Sequence, residues 1–275
     1  MTSFKSVLSL AGAACLTTAV LTAPALALDK PTGTWADLVT NVFADRPMQD
    51  GAGIISLDAP YRAEDAAIVP IAMNFTLPPG DSRSIDKVTL VIDENPAPVA
   101  AEFTLGKSAG VSHIETRVRV NAYTNVHVVA ETSDGQLYVT ERYVKAAGGC
   151  SAPAGKDQAL ALAEMGKMKF REFPQQDGDA PGRRQAQIMI HHPNNSGLQK
   201  DQVTLNYIPP RFINELTVNQ GKDLILKMEG GISISENPNF RFAYIPNGEE
   251  VSVDATDTDG AAFHGAWAQQ PRSGS

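Results

Sequence analysis

Gly148-Gly149-Cys150-Ser151 carries the most available chemistry in this sequence. Cys150 lies in the run Ala146-Ala147-Gly148-Gly149-Cys150-Ser151-Ala152-Pro153-Ala154-Gly155, where no residue is larger than Cys or Pro. A structural cysteine normally packs among apolar side chains, so this composition predicts an exposed thiol on a flexible arm. Gly148 and Gly149 let the backbone adopt φ > 0 and thread a narrow opening. An exposed thiolate is a nucleophile towards oxidised sulfur, disulfides and electrophiles. No histidine, metal motif or helix N-terminus lies nearby to depress its pKa, and no general base accompanies it. The pattern is that of a cargo attachment point rather than an active site. A thiol packed in an interface would instead favour a binding module with an incidental cysteine.

The other reactive residues form weaker patterns. Gly106-Lys107-Ser108-Ala109-Gly110 has the letters of a hydrolase nucleophile elbow, but the mechanism needs a strand before and a helix after the serine. Val111 onward alternates like a strand, so a glycine-rich hairpin loop is expected. His191 and His192 are adjacent and on a strand would point to opposite faces. His113 and His127 are expected at polar surface positions of separate strands. Asp254, Asp257, Asp259 and Gly260 resemble a calcium loop, but Ala255 and Ala266 occupy the first and last ligand positions, leaving an acidic turn. No metal and no cofactor is therefore expected. Asn74-Phe75-Thr76 and Asn194-Asn195-Ser196 match glycosylation sequons, relevant only in a eukaryotic secretory pathway.

These residues need a scaffold, and the composition describes one. The 275 residues are 43% hydrophobic, enough for one large or two ordinary domains. Lys and Arg number 23 against 31 Asp and Glu, a net charge of −8, which argues against a nucleic-acid partner. Lys5, the apolar stretch Val7 to Leu21 and Ala25-Leu26-Ala27 read as a signal peptide over 1–27, with export to the periplasm. Its removal would take Cys15 and leave Cys150 as the only thiol, so no internal disulfide could form.

Trp35, Leu38, Val39, Val42 and Phe43 fall on one face of a helix with Thr34 as N-cap. Seven strand-like runs follow between Gly53 and Lys145, separated by turns such as Pro78-Pro79-Gly80 and Ser133-Asp134-Gly135. Asp157 to Lys169 has a modest helical pattern, and six more strand-like runs lie between Gln185 and Trp267. The expected fold is all-β: two immunoglobulin-like antiparallel β-sandwich domains joined by a flexible Gly/Ala/Pro linker. The first covers 28–145 with its N-terminal helix and the second 183–270. The cysteine arm spans 146–156 and a helix-and-loop connector 157–182.

The first domain resembles SoxY, one subunit of the SoxYZ thiosulfate-oxidation carrier. The resemblance runs through Leu57-Asp58-Ala59-Pro60, Val69-Pro70, Asn95-Pro96-Ala97-Pro98 and Gly148-Gly149-Cys150. The second resembles SoxZ through His192-Pro193-Asn194-Asn195-Ser196-Gly197, Ile208-Pro209-Pro210-Arg211-Phe212-Ile213 and Ile232-Ser233-Ile234-Ser235-Glu236-Asn237-Pro238. The resemblance implies two paired immunoglobulin-like domains, sulfur intermediates carried on Cys150, and partner enzymes that do the catalysis. Single-chain versions are similar to the SoxYZ-like carriers associated with quinoprotein alcohol dehydrogenases. In SoxY a second glycine pair follows the cysteine and ends the chain, whereas here Ser151-Ala152 stands in its place and the chain continues. The sequence therefore implies a non-enzymatic, periplasmic sulfur carrier. Its partners would be sulfur-oxidation enzymes or a quinoprotein dehydrogenase system, with no nucleic acid and no membrane span. The alternative is a periplasmic binding or assembly module for a quinoprotein (PQQ) alcohol dehydrogenase. The turn residues Asn194, Asn195 and Gly197 give the His192 motif a structural purpose.

Overall fold

The computed structural model describes residues 31–153, 158–174 and 182–269. The signal segment expected over 1–27 lies outside them. The first half contains α1 (Thr34–Phe43), β1 (Met48–Asp50), β2 (Ile55–Asp58), β3 (Val69–Phe75) and β4 (Ile85–Ile92). It continues with β5 (Val99–Leu105), β6 (His113–Val118), β7 (Thr124–Thr132) and β8 (Leu137–Val144). The second half contains α2 (Gln158–Ala163), β9 (Met168–Phe173), β10 (Arg184–Ile190) and β11 (Ile213–Gln220). After these come β12 (Asp223–Gly230), β13 (Asn239–Tyr244), β14 (Val251–Asp257) and β15 (Ala262–Trp267). Among the described residues no helix is long and apolar enough to cross a membrane.

The strands form two sheets, and both sheets run through both halves. One has the order β1-β8-β7-β4-β5-β12-β11-β14-β15 and the other β2-β3-β6-β13-β10-β9. The halves join where β5 pairs with β12, placing Phe103 opposite Met228, and where β6 pairs with β13, placing Ile114 opposite Phe242. Alternation decides which side faces inward: Val69, Ile71, Met73 and Phe75 of β3 and Val251, Val253 and Ala255 of β14 are all buried. The inward residues of both halves belong to one hydrophobic cluster. Within it Phe103 and Phe240, one from each half, meet edge-to-face at 6.1 Å.

Local departures from the sequence expectation have physical causes. Gly33, not Thr34, precedes the helix, and the Thr34 hydroxyl bonds Glu94 instead at 2.7 Å. Of the expected apolar face, Phe43 is buried while Val42 stays exposed, because α1 covers only a small cluster of Val91, Val129, Leu137 and Val139 on the outer side of the sheet. The helical pattern over Asp157 to Lys169 breaks at Gly166, whose φ of 82° ends the turn, and Met168–Phe173 is a strand paired with β10.

Candidate functional site

Cys150 is fully buried, which corrects the expectation of an exposed thiol on a free arm. The loop leading to it docks on the segment that follows β6. Gly148 donates its N–H to the Asn121 carbonyl at 2.8 Å, and Gly149 to the Val120 carbonyl at 3.0 Å. Val120 in turn donates to Ala66 at 2.8 Å. A Cβ on Gly149 would lie 2.0 Å from the Ala66 oxygen and 2.7 Å from that of Val120, so only glycine allows this approach. Gly148 has φ +77°, and the Ser151 N–H and hydroxyl both reach back to its carbonyl at 3.2 Å. The small residues that read as a flexible arm are small because two backbones touch there.

The second half closes over the loop. The Ser196 hydroxyl donates to the Cys150 carbonyl, and the Gln199 side-chain amide to that of Ala152 at 3.1 Å. Gln199 also accepts the Ser196 N–H at 3.0 Å, which fixes the two residues together. Their turn starts at Asn194, buried with φ 44°, whose side chain accepts from the Ile213 N–H at 3.1 Å. From the segment 232–238, Ser233 accepts from the Asn95 side-chain amide at 2.9 Å and donates to the Ala97 carbonyl at 3.0 Å. Ser235 donates to the Ala67 carbonyl at 2.7 Å. Four sequence motifs far apart in the chain thus meet around the Cys150 loop.

The sequence reading missed Arg119, which is 1% exposed beside this site. Its N–H bonds the Ser233 carbonyl at 2.7 Å, its own carbonyl accepts from Asn95 at 2.7 Å, and its guanidinium reaches the Ile232 and Ile234 carbonyls. By the alternation of β6 it belongs on the outward side with Glu115 and Arg117, but residues 232–235 of the second half cover it. Burial pushes the Cys150 thiol pKa up, and the positive charge of Arg119 opposes that without overturning it. Burial thus favours the neutral thiol in the closed site.

Residues 39–150 match the family model for sulfur oxidation protein SoxY, and 173–268 match that for sulphur oxidation protein SoxZ. The chain is a SoxY–SoxZ fusion. The SoxY match ends at Cys150, and the Gly148–Cys150 loop is where its half meets the SoxZ half. No curated protein matches the sequence. Among solved structures, a superoxide reductase (neelaredoxin) from Ignicoccus hospitalis is 14% identical, covering 34% of this chain and 79% of its own, with a TM-score of 0.27. A β-glucuronidase from Parabacteroides merdae is 8% identical, covering 78% of this chain and 25% of its own, with a TM-score of 0.25.

The remaining candidates fall away from the SoxY–SoxZ junction or serve its architecture. His192 is buried; its Nδ1 accepts the Asn194 N–H at 3.0 Å and its Nε2 faces Asp257 at 3.4 Å. Asp257 also accepts from Arg211 at 2.8 Å and from the Ala261 N–H at 2.8 Å, so the acidic turn of the SoxZ half braces its own loops. Asn194 of the second sequon is buried and committed to the backbone. Gly106–Gly110 is a loop between β5 and β6. His127 is a correction: it is buried, bonded to Asp93 at 2.9 Å and Glu141 at 2.7 Å, with Trp35 stacked on it at 3.7 Å. Among the described residues no three His, Cys, Asp or Glu side chains are grouped to hold a metal.

Proposed function

We propose that this protein is a periplasmic sulfur carrier that holds sulfur-oxidation intermediates covalently on Cys150 and presents them to separate enzymes. The observation that carries this reading is the position of Cys150: last residue of the SoxY match, within a loop gripped by the SoxZ half. Because the loop is closed, the carrier works by release. Gly148, Gly149 and Ser151 form a hinge, and parting the bonds to Asn121, Val120, Ser196 and Gln199 frees the thiol. Each neutral hydrogen bond contributes only about 1 kcal/mol net, so a partner surface that binds the open loop can offset them. Opening also hydrates the thiol and restores an ordinary pKa, so the nucleophile appears only where a partner receives it. The loop is internal, so it enters a partner as a hairpin, which calls for a wide-mouthed tunnel. Export by the signal segment would place it in the periplasm, beside sulfur-oxidation enzymes or a quinoprotein dehydrogenase system.

The burial of Cys150 favours a second reading, in which the chain is an assembly module and the thiol is simply core. Cells carrying Cys150→Ser in place of the natural protein separate the two. The carrier reading predicts loss of sulfur-compound oxidation at an unchanged level of folded protein. Undiminished oxidation would sink it in favour of the module.

A further inference from the structure

Arg119 is a buried cation without a buried anion. All the partners of its guanidinium are neutral carbonyls, those of Ile232 and Ile234, and its Nε has no partner among the described residues. No carboxylate forms an ion pair with it among those residues; the Cys150 sulfur and, less strongly, Glu236 act on it through space. A guanidinium cannot shed its proton to escape this situation, and an unpaired charge out of water is costly.

The Arg119 segment runs beside the Cys150 loop. Val120, the next residue, receives the Gly149 N–H, so the Arg119 and Cys150 segments are hydrogen-bonded neighbours. The Ile234 carbonyl that Arg119 holds also takes the Asn194 side-chain amide, two residues from the Ser196 that grips Cys150. Burial disfavours the thiolate of the empty site, so the sulfur is a weak countercharge for Arg119. We infer that Arg119 is the counter-ion for a negatively charged sulfur adduct on Cys150. This rests on the carrier reading and adds charge selectivity to it. A loaded anionic form closes over Arg119 more firmly than the empty form, while a neutral adduct adds volume and leaves the charge unpaired.

Two reagents place an anion or a neutral group on the same sulfur. With tetrathionate, the Cys150 thiolate attacks an inner sulfur, and a new Sγ–S bond forms as the central S–S bond breaks. Thiosulfate leaves with the electron pair, the thiol proton having gone to solvent. With methyl methanethiosulfonate the same attack leaves a methyl disulfide and releases methanesulfinate. Intact mass confirms each adduct on the full chain, and thermal melting is then compared. The thiosulfonate form should melt at least about 2 °C above the methyl disulfide form. Arg119→Gln should erase that gap and Arg119→Lys, which keeps the charge, should retain it. A wild-type gap of zero or of opposite sign overturns the assignment, as does a gap that survives Arg119→Gln. If Arg119→Gln does not fold, the Lys variant decides, and loss of the gap there counts against Arg119. Failure of both reagents to add mass to Cys150 even in Ser196→Ala, whose loop is loosened, strikes the carrier reading itself; loading by both without a gap strikes only the role of Arg119.

Discussion

The Ser196 hydroxyl of the SoxZ half donates to the main-chain carbonyl of Cys150 at the end of the SoxY half. This bond ties the position of the Cys150 loop to the SoxZ half. Its loss should loosen the loop without touching the thiol.

Labelling by a maleimide at neutral pH reads that loosening directly. The buried, neutral thiol should react far more slowly than a Gly-Gly-Cys-Ser-Ala peptide, by a hundredfold or more on an opening cost of about 3 kcal/mol or greater. Ser196→Ala should raise the rate about fivefold, matching one hydrogen bond of about 1 kcal/mol. Gly149→Ala should raise it further and lower stability by about 1–3 kcal/mol, since its Cβ collides with the Ala66 carbonyl. Peptide-like labelling of the unaltered protein would mean the loop is not closed in solution.

His192 gives the fold a pH dependence whose sign is determined. Burial lowers its pKa, more than the hydrogen bond to Asp257 raises it. The folded state therefore binds fewer protons than the unfolded state just below the ordinary histidine pKa, about 6.5. Stability from this group is intact above that pH and declines as pH falls below it. At Asp257 burial pushes the pKa up, but the Ala261 N–H, Arg211 and His192 outweigh it, so the carboxylate keeps its share of stability until pH drops into the acidic carboxyl range. His192→Gln should lower the melting temperature at pH 7.5 and flatten the decline between pH 7 and 5, while leaving adduct formation on Cys150 intact. A variant with normal melting and lost loading would make His192 part of the carrier chemistry.

Cutting the chain between the halves should not part them. With β5 hydrogen-bonded to β12 and β6 to β13, and one core beneath both, separation would expose Phe103, Phe240 and Phe242. Limited proteolysis within 146–156 should yield two fragments that co-elute on size exclusion and separate only in denaturant. Fragments that elute apart at micromolar concentration would contradict the shared sheets.

Much of this was legible in the residues. The seven strand-like runs between Gly53 and Lys145 pointed to strands, among them β3 with Val69, Ile71, Met73 and Phe75 facing inward, and the glycine pair before Cys150 drew attention to the loop that meets the SoxZ half. The burial of that site was not legible. Small residues serve a free arm and a close backbone contact equally well, and only the Ala66 and Val120 carbonyls beside Gly149 tell them apart. Arg119 was hidden for a related reason. Strand alternation puts it on the solvent side of β6, and it is buried only because a segment more than a hundred residues away folds over it. His127 was likewise read as surface because its cover, Trp35, belongs to a helix that crosses the outside of the sheet.

The central claim is that Cys150 carries sulfur, and the mass of the protein taken from its own compartment tests it most directly. Intact-mass spectrometry under non-reducing conditions should find a fraction of the chain heavier by sulfur, sulfite or thiosulfate. Each addition should map to the Cys150 peptide and disappear in Cys150→Ser. A population that is wholly unmodified while the cells oxidise sulfur compounds, or additions that persist in Cys150→Ser, would contradict the carrier account.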